Sequence, residues 1–168
     1  MLVKRLMSVL GLLAAPLSCA HTPLPCPPLE IIHVSIRASD RLNPGESGES
    51  LVTTVRLYQL KDVSKLQAAS MEQILDNDRA VLGDDLVSLK EVTLYPGEAA
   101  TPSLSRREGA PFLALVAFFR QPSGSAWRVA SRLAAPDAGY CHAPGGGDAE
   151  AARLALRFGL VDSRIELQ

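Results

Sequence analysis

From Glu30 onward, apolar and polar residues alternate in short runs, and turn residues close each run. A period of two sends successive side chains to opposite faces of an extended chain, so such runs form half-buried strands. Ile32, Val34 and Ile36 alternate with His33, Ser35 and Arg37. Leu51 to Leu60 and Leu89 to Tyr95 follow, the latter closed by Pro96-Gly97. Trp127, Val129, Ser131 and Leu133 alternate with Arg128, Ala130 and Arg132. Leu154, Leu156 and Phe158 alternate with Arg153, Ala155 and Arg157, and Ile165 to Leu167 comes after a turn at Asp162-Ser163. Phe112 to Phe119 is apolar throughout, the pattern of a central strand covered on both faces. Seven strands at this spacing predict an all-β fold, a two-sheet β-sandwich.

One stretch breaks the period. Between about 62 and 86 the spacing of Val63, Leu66, Ser70 and Ile74 is helical, and Asp62 is placed to cap the start. Ser70 with Gln73 has the capping-box pattern, which restarts a helix. Asp76-Asn77-Asp78 is expected to end it, and Gly83 to punctuate a second short segment. Asp76, Asp78, Asp84 and Asp85 read as a solvated helix end. A calcium loop counted from Asp76 needs glycine at its sixth position, where Val81 stands.

The first 30 residues read differently. Lys4 and Arg5 precede an uncharged apolar run, Leu6 to Ala15. That run is shorter than the roughly 20 residues that span a bilayer and has the length of a secretory signal core. Pro16-Leu17-Ser18-Cys19 resembles a bacterial lipobox, which makes Cys19 the expected lipidation site. Cleavage after Ala20 is the competing reading and would release a soluble periplasmic protein. Nothing after Cys19 signals retention at the inner membrane, so the outer membrane is the default destination. Pro23, Pro25, Pro27 and Pro28 stiffen the segment that follows. Residues 1–18 are thus expected to be a signal peptide, 19–29 a tether, and 30–168 a sandwich domain with a helical insertion. Losing Lys4 and Arg5 with the signal takes the net charge from −1 to −3, so acyl chains rather than a basic patch would hold the protein at a membrane.

Composition removes several function classes. A near-zero charge and 5% aromatic residues give neither the electrostatic footprint nor the stacking platform of a nucleic-acid binder. There is no Gly-x-Ser-x-Gly elbow and no His-Glu-x-x-His, and Gly145-Gly146-Gly147 lacks the residues of a phosphate loop. No enzyme, cofactor or metal is expected; a rival enzymatic reading would have to use His33 or His142. Once Cys19 is assigned to the lipid, Cys26 and Cys141 remain as a candidate disulfide pair, worth roughly 2–4 kcal/mol if formed. A polar, turn-rich loop runs from Asp40 to Ser50, longer than a tight hairpin needs. Asn43 and Pro44 can fix its shape, while Arg41, Glu46 and Glu49 offer polar contacts. The second functional reading is a soluble periplasmic carrier of small ligands.

Several segments together resemble the TssJ family, outer-membrane lipoproteins of type VI secretion systems. They are the Asn43-Pro44 loop, Val55-Arg56-Leu57-Tyr58-Gln59-Leu60-Lys61-Asp62, Leu66 to Ser70, Leu75-Asp76 through Leu82-Gly83-Asp84-Asp85-Leu86, Leu94 to Glu98, and Val116 to Arg120 with Trp127-Arg128. The departures are Leu66, where the family often has Phe, and the irregular lipobox. The resemblance implies a transthyretin-like sandwich hung from the outer membrane by Cys19. It also implies a partner, the periplasmic C-terminal part of the inner-membrane protein TssM. The loop between the first two strands would make the contact, through Arg41, Leu42, Asn43, Pro44, Gly45, Glu46 and Ser47.

Overall fold

The computed structural model describes residues 31–134 and 154–168. Cys19, Cys26, Cys141 and His142, with the signal and tether, lie outside the described residues.

Nine strands form among them: β1 (Ile31–Ala38), β2 (Thr53–Leu60), β3 (Leu86–Leu94), β4 (Ala99–Ala100), β5 (Ser103–Ser105), β6 (Phe112–Ala117), β7 (Arg128–Arg132), β8 (Leu154–Val161) and β9 (Arg164–Leu167). One sheet has the order β4-β1-β8-β9, with β5 also on β1; the other is β3-β2-β6-β7. All pairings are antiparallel except β1 with β8, where Ile32 aligns with Leu154 and Ala38 with Leu160. Strands β4 and β5 have no counterpart in the sequence pattern. Two or three residues are too few to show alternation, and both exist through pairing with β1.

Inward residues of the two sheets form the core. Ile32, Val34 and Ile36 of β1 meet Val55 and Leu57 of β2 and Leu113 and Leu115 of β6. Gln59 also points inward and is buried, but its amide is satisfied. Nε2 donates to the Ser105 carbonyl at 2.8 Å, and Oε1 accepts from the Arg107 N–H at 2.8 Å.

Part of the other face of the second sheet is covered by the insertion, which makes a third layer. Helix α1 (Ser64–Ala68) and helix α2 (Met71–Leu82) precede a 3₁₀ turn at Gly83–Asp85. This explains the uninterrupted apolar run of β6: Leu113 and Leu115 face the sandwich core, while Ala114 and Val116 lie on the opposite face, and all four are buried. Ser70 and Gln73 close the expected capping box at the start of α2. The helix does not end at Asp76-Asn77-Asp78. It kinks there, because Asn77 takes non-helical angles and caps the next turn by accepting from the Ala80 N–H at 3.1 Å. Asp62 accepts from the Ser64 N–H at 2.7 Å, one residue ahead of the helix's own first residue-cap at Val63. Ser64, through its side chain and then its N–H, and the nearby Lys65 hold the Asp62 carboxyl below the ordinary carboxylate range.

Asp78 corrects the expectation of a solvated helix end. It is buried, and its Oδ2 accepts from the Tyr58 hydroxyl at 2.9 Å and from Arg56 at 3.2 Å. Arg56 also donates to Glu91 at 2.9 Å and to the Ile74 carbonyl at 3.2 Å, and its guanidinium stacks over Phe118. Burial pushes the Tyr58 hydroxyl far above the ordinary tyrosine range, so it stays a donor to Asp78. The signal was present in the sequence: Ile74, Asp78 and Leu82 share one helical face, and an acid on an apolar stripe must find a partner when it is buried.

Candidate functional site

Strand β1 ends and β2 begins at one end of the sandwich. The loop between them is built from the backbone outward. Pro44 and Ser50 form an isolated bridge, the Gly45 N–H donates to the Glu49 carbonyl at 2.8 Å, and Gly48 turns the tip with φ +83°. The loop is therefore a small, closed hairpin, and its returning arm is anchored by the Leu51 N–H to the Leu42 carbonyl at 3.0 Å.

Asn43 ties this loop to its neighbours. It is 5% exposed and holds a left-handed φ of 49°, which Asn tolerates better than most residues. Its N–H donates to the Asp162 carbonyl at 2.7 Å in the β8–β9 turn. Its side chain accepts from the Arg120 N–H at 2.7 Å, after β6, and donates to the Val52 carbonyl at 3.2 Å, before β2. Two further bonds complete the cluster: the Gly97 N–H, in the turn after β3, reaches the Ser39 carbonyl at 3.0 Å, and the Ser123 N–H reaches the Ser163 carbonyl at 3.1 Å. Four connections thus form one bonded end.

The residues expected to meet a partner separate into two groups. Leu42 is fully buried and Asn43 nearly so, and in this conformation they position the loop from inside. Pro44 and Gly45 are half-buried. Arg41, Glu46 and Ser47 are exposed and face solvent. Arg41 lies 3.5 Å from Asp162, and Glu46 pairs with Arg120. Both are surface ion pairs, which orient side chains but add little stability. Arg120 and Asp162 escaped the sequence reading because only the tertiary fold brings them to this loop.

The other candidates fit less well. His33 is half-buried on the outer face of the first sheet, and its Nδ1 lies 3.5 Å from Ser103 Oγ. Among the described hydrogen bonds no carboxylate orients that ring, as a Ser-His-acid arrangement requires. The depression beside it, lined by His33, Ser35, Thr101 and Arg157, is shallow and open to solvent rather than an enclosed ligand cavity. No helix among the described residues is long and apolar enough to cross a membrane.

Comparison with known proteins agrees with this architecture. A model of the type VI secretion lipoprotein family (VasD, EvfM, TssJ) matches residues 30–157. No curated protein sequence matches significantly. The structure of the T6SS lipoprotein TssJ1 from Pseudomonas aeruginosa is similar at a TM-score of 0.70 with 25% identity, over 84% of this chain and 96% of that one. A chain in a structure described as a type VI membrane complex is similar at 0.68 with 24% identity, over 83% and 98%. A chain in a structure described as the TssM C-terminal domain from EAEC is similar at 0.63 with 22% identity, over 83% and 98%. Since the family model spans most of the chain, the two-sheet sandwich with its helical layer belongs to the TssJ/VasD family of type VI secretion lipoproteins.

Proposed function

We propose that this chain is a non-catalytic anchor of the type VI membrane complex, held at the periplasmic face of the outer membrane by lipidated Cys19. The loop end of its sandwich would grip the periplasmic C-terminal domain of a TssM-like inner-membrane protein. The observation that carries the reading is the bonded end around Asn43, which presents Arg41, Glu46 and Ser47 on a rigid hairpin. A preorganised loop loses little entropy on docking. Similar folds in structures described as a type VI membrane complex and as a TssM C-terminal domain support the choice of partner.

Removing the whole loop would take Leu42 out of the core, so a tip substitution is the cleaner test. Ser47→Trp with Arg41→Glu is expected to weaken binding of the TssM domain by about 100-fold, since a bulky wedge and a reversed rim charge both oppose docking. The thermal midpoint should stay within a few degrees. Unchanged affinity in a calorimetric titration would contradict the docking role. Cys19→Ser is expected to move the protein from the membrane fraction to the soluble periplasm. If it stays with membranes, acyl anchoring at that residue is wrong.

A further inference from the structure

The helical layer covers only part of the second sheet's outer face. Arg56 and Tyr58 lie beneath α2, bonded to Ile74 and Asp78. Continuing along that face toward the loop end, Thr54 of β2 lies opposite Thr93 of β3, and the next residues in the alternation are Val52, just before β2, and Tyr95, just after β3. Here the cover stops. Val52 is 48% exposed and Tyr95 63% exposed. Phe118, whose N–H donates to the Thr54 carbonyl at 3.0 Å, is half-buried next to β2 and carries the Arg56 guanidinium over its ring.

Single exposed apolar residues are ordinary on a protein surface. This group differs in its backbone. The Tyr95 N–H donates to Glu98 Oε2 at 2.8 Å, and its carbonyl accepts from the Glu98 N–H at 3.0 Å. The turn it opens is tied to β1 through Gly97 and Ser39. The Val52 carbonyl is held by Asn43, the residue that organises the docking hairpin. The shelf and the hairpin are therefore parts of one rigid surface.

A few exposed polar residues at the hairpin tip fall well short of the roughly 800 Å² per partner that a stable interface buries. They are also of the wrong kind, since polar groups form the rim while affinity comes from aromatic anchors at an apolar centre. Tyrosine suits such a centre because only two side-chain torsions are frozen on contact. We propose that Tyr95 and Val52, backed by Phe118, form the apolar centre of the docking surface and seat an apolar side-chain cluster of the same periplasmic domain that the hairpin grips. This rests on the docking function proposed above.

The test titrates the TssM C-terminal periplasmic domain into the full chain and its variants. Tyr95→Ala is expected to weaken binding about 30-fold, and Val52→Ser about 5-fold. Tyr95→Phe keeps the ring and should remain within about 3-fold of the unaltered chain. Both sites are exposed, so the melting curves of all three variants should superpose. If Tyr95→Ala binds normally while Ser47→Trp with Arg41→Glu blocks binding, the shelf is overturned and the hairpin reading stands. If the reverse holds, the shelf stands without the hairpin. If the unaltered chain fails to bind, both fall. Sedimentation of the chain alone covers the remaining occupant: self-association lost in Tyr95→Ala, with partner binding intact, would assign the shelf to a second copy and overturn the proposal.

Discussion

Asn43→Ala should destabilise the fold by about 3 kcal/mol and weaken partner binding with it. Two side-chain bonds disappear, to the Arg120 N–H and the Val52 carbonyl, leaving both backbone groups unpaired where water reaches them poorly. Alanine is also worse than asparagine at a φ of 49°. Asn43→Gly separates the two causes. It loses the same bonds but accepts the left-handed backbone, so it should recover about 1 kcal/mol of the loss. Chemical denaturation of the three proteins gives the comparison. Equal stability of Asn43→Ala and the unaltered chain would mean the loop end is not organised through this residue. Binding should fall further than the lost stability alone explains, because the hairpin and the shelf are then no longer held in one arrangement.

Asp78→Ala should cost a similar amount, about 3–5 kcal/mol, for a different reason. Arg56 and Asp78 have side chains only 18% and 12% exposed, and removing the acid leaves the guanidinium poorly compensated and the Tyr58 hydroxyl without an acceptor. Glu91, half-exposed, still pairs with Arg56 and keeps the loss within this range. Replacing both partners with apolar residues, Arg56→Met and Asp78→Leu, should restore much of the stability, since no buried charge is then left unpaired. The damage should be local, with α2 becoming the first segment cut by a protease while the sandwich melts cooperatively. If Asp78→Ala is as stable and as protease-resistant as the unaltered chain, the ion pair does not hold the helical layer. Partner binding at the loop end should survive this substitution far better than it survives Asn43→Ala.

The contrast between these two residues shows what the sequence carries. Strand alternation is a local signal, so β1, β2, β6 and β8 were legible in Ile32-Val34-Ile36, Val55-Leu57, Phe112 to Ala117 and Leu156-Phe158. The capping box at Ser70 and Gln73 is likewise local and was readable. Leu51 and Val52 were expected in β2, yet their backbone groups bond to Leu42 and Asn43 instead. That competition is decided by the loop's fold, which local periodicity does not encode. The loop's length and turn chemistry marked Arg41 to Ser47 as a surface, but the burial of Leu42 and Asn43 depends on Asp162 and Arg120, which are distant in the chain. Tyr95 reads from the sequence as the last residue of a strand. Only the sheet register and the reach of the helices leave it uncovered.

Amide hydrogen exchange of the full chain, with and without the TssM C-terminal periplasmic domain, tests the docking end most directly. Protection gained on binding is expected at residues 44–50, 95–98 and 119–124, with α1 and α2 exchanging as in the free protein. Protection confined to the helical layer, or to the outer face of the first sheet around His33, would contradict docking through the loop end.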